Sequence, residues 1–128
     1  MAHKSSKKII ATAFACGKEH DFALFQRSKT RLLPETLGLG DSGFQGMALL
    51  HPHSRTPKKR SKGHRLTRQE RAANRELARE RIVAEHIIRC LKVFRILSER
   101  YRNRRRRFGL RFNLIAAIYN YELDLRRK

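Results

Sequence analysis

The chain is poor in acidic residues, has two cysteines and no tryptophan, and has no long apolar run. It contains 11 Asp and Glu against 31 Lys and Arg, which gives a formal net charge of +20. A folded domain of 128 residues with such an excess of one sign repels itself unless a polyanion screens it. Nucleic acid is therefore the expected partner. A membrane surface is disfavoured, because the basic residues are spread over many segments instead of following one amphipathic anchor.

The scarcity of cysteine and of long apolar segments also limits the class of protein. Cys16 and Cys90 fall in no zinc-binding or disulfide spacing, so reduced cytoplasmic thiols are expected. No apolar run approaches the roughly 20 residues that a membrane-spanning helix needs. The lysines before residues 9–16 imitate a secretion signal, but the apolar stretch is at the short limit for one. A β-strand over residues 9–15 is the simpler interpretation.

The first half of the chain is predicted to be α/β. After the strand at 9–15, Asp21 is a plausible N-cap of a short helix. A second short strand is expected around 37–40, and it delivers Asp41 at its C-terminal end. The glycine-rich stretch 42–46 must then form a tight turn.

The second half is predicted to be mainly helical. Residues 51–66 are basic and have no apolar periodicity, which predicts a flexible loop. Thr67 and Glu70 have the spacing of a capping box, and no Gly or Pro follows for more than 30 residues, so a long helix is expected over 67–101. Its apolar residues share one arc that should face a core: Val83, Ile87, Cys90, Leu91, Phe94 and Leu97. The arginine tract 100–107 precedes a C-terminal amphipathic helix.

Asp41 is a candidate metal ligand. It follows a predicted strand and lies among glycines that let the backbone turn sharply, so the carboxylate should project at the edge of the sheet. An exposed carboxylate is a good ligand for Mg²⁺. The alternative is that Asp41 is only a turn residue, a role that aspartate often has, and the spacing does not decide between the two.

Glu85 is the second candidate, because basic side chains surround it on one face of the predicted long helix. Arg81, Arg89 and Lys92 lie within about 40° of it, since steps of four and seven residues nearly complete whole turns. These cations would attract the carboxylate and also bind phosphate. The alternative, favoured by spacing alone, is a solvated helix face with weak ion pairs.

Other catalytic classes find no support in the sequence. It contains no Walker-type phosphate loop, no serine elbow and no Cys-His catalytic pairing. His51 and His53 flank Pro52 in the basic loop, and nothing nearby completes a zinc shell around them.

Three blocks of the chain resemble bacterial insertion-sequence transposases with a DDE catalytic domain. They are residues 17–25, 40–46 and 81–95. The third block is the most specific, because an arginine four residues before and a lysine seven residues after a helical glutamate are similar to the signature around the last catalytic residue of the family. The tyrosine that precedes this glutamate in the family is absent, and Ala78 takes its place.

The resemblance implies a ribonuclease-H-like fold, in which a mixed sheet flanked by helices holds Asp, Asp and Glu around two Mg²⁺ ions, or Mn²⁺ in their place. Asp41 corresponds to the second carboxylate and Glu85 to the third. The first is expected on a strand before residue 9, yet no acidic residue precedes Glu19. Asp21 is not a substitute, because the family has an aspartate at that block in addition to the catalytic three.

The expected protein is thus the C-terminal part of a DDE transposase catalytic domain over residues 1–128, with a partial ribonuclease-H-like fold. The resemblance implies metal-dependent DNA cleavage and strand transfer in the complete enzyme, and little activity for this chain alone. Transposon-end and target DNA are the expected ligands, and a second copy or the product of an upstream reading frame is the expected protein partner. The expected location is the cytoplasm, at the nucleoid. The residues expected to bind DNA are Arg81, Arg89, Lys92 and Arg95.

One different class of function fits the same composition. A non-catalytic basic protein that binds nucleic acid, such as a ribosome-associated factor, would have the same net charge of +20. It would need neither Asp41 nor Glu85.

Overall fold

The computed structural model describes residues 1–15, 19–63, 65–99 and 105–127. They form a mixed α/β structure of helices and a small two-stranded parallel sheet. The chain divides into two units, Ala15–Arg81 and the combination of Met1–Phe14 with Ile82–Lys128. Within the part of the chain that the structure describes, no helix is both long enough and apolar enough to cross a membrane.

The unit Ala15–Arg81 alternates short helices with the two strands. In chain order its elements are α1 (Asp21–Arg27), β1 (Gly38–Leu39), a 3₁₀ turn (Ser42–Phe44), α2 (Met47–Leu50), β2 (Ser54–Arg55) and the first part of α3 (Arg68–Leu91). The strand predicted around 37–40 is confirmed as β1, and Asp41 follows it. The tight turn predicted at 42–46 is the 3₁₀ turn and the Gly46 N-cap of α2.

The second strand of the sheet forms where the sequence predicted only a loop. β1 and β2 are parallel, with Gly38 opposite Ser54 and Leu39 opposite Arg55. The Gly38 amide donates to the His53 carbonyl at 2.9 Å, which continues the ladder beyond the strand. The prediction of a loop over 51–66 is wrong at β2, because its two residues contribute backbone hydrogen bonds that polar side chains do not reveal.

A small core lies behind this sheet. Met47, His51 and Leu77 are buried, with 5%, 6% and 4% of their surface exposed. The His51 imidazole Nε2 is hydrogen-bonded to the Thr36 carbonyl, so this loop histidine holds the chain before β1 in place. A Cβ at Gly38 would lie 2.7 Å from the Met47 methyl carbon, so a side chain there would require the end of Met47 to move.

The helix α3 begins as predicted and ends early. The Thr67 amide donates to Glu70 Oε2 at 2.8 Å, and the Glu70 amide donates to Thr67 Oγ1 at 3.2 Å, which confirms the capping box. The helix ends at Leu91 and a second helix, α4 (Arg95–Ser98), follows, so the prediction of one helix over 67–101 is wrong. Residues 100 and 101 lie outside the described part of the chain.

The interruption has a local cause that needs neither Gly nor Pro. The Phe94 amide donates to the Leu91 carbonyl at 3.1 Å, an i to i−3 bond that tightens the last turn of α3. Phe94 then adopts an extended backbone and begins α4. After the break, Ile96 and Leu97 pack against the core of their unit.

The unit made of Met1–Phe14 and Ile82–Lys128 has its own core. Ile87, Leu91 and Ile115 are its buried residues, so the predicted apolar arc of α3 is confirmed at two positions. Ile115 belongs to α5 (Phe108–Leu125), which is the predicted C-terminal helix. Other apolar residues of the predicted arc are more accessible: Cys90 is exposed and Phe94 is 36% exposed.

The strand predicted over residues 9–15 is not formed. Ile9 makes a single antiparallel bridge with Ala2. The Ile9 amide donates to Asn120 Oδ1 and the Ile9 carbonyl accepts from Asn120 Nδ2, both at 2.8 Å. A side chain of α5 thus takes the hydrogen bonds that a neighbouring strand would otherwise make.

Candidate functional site

Asp41 lies between β1 and the 3₁₀ turn and caps that turn. Its Oδ1 accepts a hydrogen bond from the Gly43 amide at 2.7 Å. The turn closes because the Phe44 amide also donates to the Asp41 carbonyl at 3.1 Å. Asp41 is therefore a turn residue in this structure, as the simpler alternative predicted. Its side chain is 42% exposed, so it also remains accessible to a ligand.

The second carboxylate oxygen of Asp41 faces Arg81. The Arg81 guanidinium Nη2 lies 3.7 Å from Asp41 Oδ2, and the Arg81 side chain is 23% exposed. At this distance and exposure the ion pair is weak and screened by solvent. The structure thus brings together two residues that the sequence analysis selected for different roles, one as a metal ligand and one as a DNA contact.

A third charged residue, Asp21, faces the same turn. A Cβ at Gly43 would lie 2.8 Å from Asp21 Oδ2 and 3.0 Å from Asp41 Oδ1, so both carboxylates border the space next to Gly43. Sequence reasoning placed Asp21 as an N-cap. The N-cap of α1 is instead His20, whose Nδ1 accepts from the Phe22 amide at 3.3 Å, and Asp21 is the first residue of the helix.

Two phenylalanines of α1 hold this helix against the turn. The rings of Phe25 and Phe44 lie 6.1 Å apart in an edge-to-face arrangement. Phe22 packs on the backbone of Gly46, where a Cβ would lie 3.2 Å from the ring. Gly46 has a φ of 94°, a backbone conformation that favours glycine. No spacing within the block around Asp21 reveals its place beside Asp41, because that place depends on how α1 packs against the turn.

Glu85 lies on α3 one helical turn after Arg81 and is exposed. Arg89 follows after one further turn, also exposed, so the predicted alignment of 81, 85 and 89 along α3 is confirmed by the helix itself. The two remaining residues predicted to bind DNA lie beyond the end of α3. Lys92 is in the turn after the helix, and Arg95 begins α4 and lies 3.8 Å from Glu99. The Lys92 amide still donates to the Ile88 carbonyl at 3.0 Å, as in a helix, whereas Arg95 lies after the break and does not extend the helical face of Glu85.

The donor chemistry of these residues suits a divalent ion only in part. No group of three or more His, Cys, Asp and Glu side chains that could hold a metal occurs among the described residues. Asp41 does satisfy the requirement for one ligand, because it is accessible and only its Oδ1 is hydrogen-bonded to the turn. Carboxylate oxygens of Asp41 and Glu85 are hard donors of the kind that Mg²⁺ and Mn²⁺ bind.

Comparison with known proteins assigns a family to this geometry. A family model described as DDE superfamily endonuclease matches residues 2–120. A curated protein described as a probable transposase for insertion sequence element IS702, from Microchaete diplosiphon, is 48% identical over 124 residues. The match covers 97% of this chain and 45% of the relative, so the chain spans less than half of the length of that protein. No solved structure gives a significant match.

Proposed function

Since the chain belongs to the DDE superfamily endonucleases and is similar to a probable insertion-sequence transposase, we propose that it supplies part of the catalytic domain of a transposase. In this proposal the complete enzyme cuts transposon ends and joins them to target DNA. The chain covers 45% of its relative, and the remaining activities of the complete protein depend on further polypeptide.

Asp41 and Glu85 are proposed as two of the catalytic carboxylates. The observation that carries this proposal is the position of Asp41, at the end of β1, accessible, and with its Oδ2 directed toward Arg81. A divalent ion held by such carboxylates, Mg²⁺ or Mn²⁺, would stabilise the charge that develops during phosphoryl transfer. The short parallel sheet β1–β2 is then proposed as one edge of a larger ribonuclease-H-like sheet.

Arg81 is proposed to bind the DNA phosphate next to the carboxylates. Its guanidinium already lies beside Asp41, where a phosphate bound to the same metal would have to approach. In the absence of DNA this arginine partly neutralises Asp41. In the complex it would donate hydrogen bonds to phosphate oxygens instead. Arg89, Lys92 and Arg95 are proposed as further phosphate contacts. Their contacts are expected to be less specific than that of Arg81, because the three residues lie at or beyond the end of α3.

A protein consisting of these 128 residues alone is proposed to have little or no cleavage activity. No acidic residue precedes Glu19, so the first carboxylate that the family places upstream has no counterpart within this stretch. Loss of one of three ligands weakens both metal affinity and metal geometry. The partner that would complete the site is proposed to be the product of an upstream reading frame, or the corresponding part of a second copy.

A second candidate function rests on the charge. A net charge of +20 on 128 residues is sufficient for a non-catalytic protein that only binds nucleic acid. Such a protein would keep all of its function when Asp41 and Glu85 lose their charge, whereas a transposase would lose metal-dependent cleavage.

The proposal is tested with a chimera in which this chain replaces the matching segment of its 48% identical relative. The substrate is a plasmid carrying the element's ends, with Mg²⁺ present. Asp41→Asn and Glu85→Gln should each reduce nicking by roughly 100-fold or more, because each removes a charged ligand. Glu76→Gln is the matched control, since Glu76 is an exposed carboxylate of the same helix with no assigned role.

DNA binding by gel shift should be unchanged in all three variants. If the chimera nicks DNA and Asp41→Asn and Glu85→Gln nick it as well as Glu76→Gln does, the assignment of the two carboxylates is wrong. The isolated chain should show no nicking, and Mg²⁺-dependent nicking by it would overturn the proposed inactivity.

A further inference from the structure

A row of arginines follows the outer side of α3, away from the site described above. It is called here the arginine row, and all four of its side chains are exposed: Arg68, Arg71, Arg75 and Arg79. The spacing of three, four and four residues places them on one side of the helix. The row lies within the unit Ala15–Arg81.

Helix geometry makes the arginine row a continuous charged surface. At about 100° per residue, the four positions fall within an arc of about 80°. Leu77, which is 4% exposed, lies on the opposite side of α3 and faces the core. With a rise of about 1.5 Å per residue, the row extends over roughly 16 Å. The arginines are thus presented to solvent by a helix whose other side is fixed by packing.

Two of the three acidic residues in this part of α3 are engaged elsewhere. Glu70 caps the helix and pairs with Lys58, while Glu80 pairs with Arg55 at 2.9 Å. Among the described residues, none of the ion pairs formed by this half of α3 includes a member of the arginine row. The third carboxylate, Glu76, is exposed and lies three residues before Arg79, so the four arginines have one free acidic neighbour on this described part of the helix and the row keeps a net positive charge.

The basic loop before α3 adds to the same region. Lys58 is held on the helix by two hydrogen bonds with Asn74: the Lys58 amide donates to Asn74 Oδ1 and Asn74 Nδ2 donates to the Lys58 carbonyl, each at 2.9 Å. The cations that follow are exposed: Lys59, Arg60 and Lys62. Asn74 thus anchors a second cationic segment next to the helix that carries the row.

We propose that the arginine row binds the phosphate backbone of duplex DNA, as a contact surface separate from Asp41 and Arg81. This inference rests on the proposed function for the identity of the polyanion. Arginine donates bidentate hydrogen bonds to phosphate, and a helix fixes the spacing of several guanidinium groups in advance. A duplex carries one negative charge per about 1.7 Å of its axis, so a row of about 16 Å meets several phosphates at once.

Small side chains next to the row allow a close approach. Ala72 lies about 40° from Arg68 around the helix axis, and Ala78 lies about 60° from Arg75. Both are exposed. At Ala72 and Ala78 a DNA backbone can therefore approach the helix closely, while the exposed Glu76 lies about 60° from Arg79.

The test measures affinity for a duplex of about 30 base pairs over a series of salt concentrations, in the presence of EDTA so that no cleavage takes place. The variant replaces the four arginines of the row with glutamine, which has a similar helix propensity. Each lost phosphate contact reduces the slope of log affinity against log salt by about 0.9, so a loss of about 3 to 4 is expected. Affinity at low salt should fall by more than about 100-fold.

A charge-matched control separates the row from the net charge. It replaces four exposed cations that lie outside α3 with glutamine: Lys7, Lys29, Arg31 and Arg106. Its slope should change by less than half as much as that of the row variant. Equal changes in the two variants would overturn the proposal, since only total charge would then matter.

Two further variants distinguish the loss of phosphate contacts from a folding defect. Replacement of all four arginines by lysine should keep most of the slope, and the single change Arg75→Gln should reduce the slope by about 1. An unchanged slope in Arg75→Gln and in the four-glutamine variant, with helix content by circular dichroism as in the parent, would overturn the proposal. This result is independent of the nicking assay, because it leaves the effects of Asp41 and Glu85 on cleavage untouched.

Discussion

Asp41 Oδ1 lies 2.7 Å from the Gly43 backbone nitrogen, and a Cβ added at Gly43 would lie 3.0 Å from the same oxygen. A side chain at position 43 would therefore crowd the Asp41 oxygen that accepts this hydrogen bond. Asp21 also limits the space for a side chain at position 43, because Asp21 Oδ2 would lie 2.8 Å from the same Cβ.

Gly43→Ala should destabilise the unit Ala15–Arg81 by up to about 1 kcal/mol, since the Asp41 carboxylate that accepts from the residue-43 amide must shift to admit a methyl group, while the exposed Asp21 side chain can turn away. The measurement is urea unfolding followed by circular dichroism. In an Asp21→Ala background the cost should be nearly the same, because the Asp41 carboxylate must still shift. A cost that disappears in that background would contradict this account of the turn.

Asp41→Asn should be close to neutral for stability, while Asp41→Ala should cost about 1 kcal/mol. Asparagine keeps an oxygen that accepts from the Gly43 amide, whereas alanine leaves that amide without its partner. The ion pair with Arg81 is lost in both, and it is worth no more than about 0.5 kcal/mol, because the charges are 3.7 Å apart and both side chains are partly exposed to solvent.

Denaturant unfolding of the two variants also shows whether Asp41→Asn keeps the stability of the parent, which its use in the cleavage assay requires. If the asparagine variant proved as unstable as the alanine variant, the charge on Asp41 and not its hydrogen bond would hold the turn.

Ile87→Ala should destabilise the unit that contains α5 by about 2 to 5 kcal/mol. Ile87 is 4% exposed and lies in the core formed with Leu91 and Ile115, so its truncation leaves a cavity. Ile88→Ala is the matched control on the same helix, because Ile88 is 50% exposed, and it should cost less than about 1 kcal/mol. Thermal unfolding of both variants distinguishes them. Equal losses would place the core of this unit elsewhere.

Local rules predicted much of this chain from its sequence. Three features depend on residues within a few positions of one another: the capping box of Thr67 and Glu70, the strand β1 before Asp41, and the C-terminal helix α5. The family was also predicted from short blocks, and the comparisons confirm it. Each of these features has a local cause, so the sequence alone is sufficient to predict it.

The errors have long-range causes. The strand predicted over residues 9–15 fails because Asn120, which is 111 positions from Ile9, takes the backbone hydrogen bonds of Ile9. β2 was missed because its polar residues pair with β1 through the backbone alone. The position of Asp21 beside the Asp41 turn depends on how α1 packs, which no spacing within either motif reveals.

The central proposal is that Asp41 and Glu85 are ligands of one divalent ion in the complete catalytic domain, and it is tested most directly in the chimera, by cleavage of the polypeptide at the metal site. Fe²⁺ takes the place of Mg²⁺, and ascorbate with hydrogen peroxide then generates hydroxyl radicals that cut the polypeptide close to the bound ion. Mass spectrometry of the fragments should show cuts near both residue 41 and residue 85, both suppressed by excess Mg²⁺ and both lost in Asp41→Asn. Cuts near only one of the two residues, or cuts at both that survive Asp41→Asn, would contradict a shared metal site.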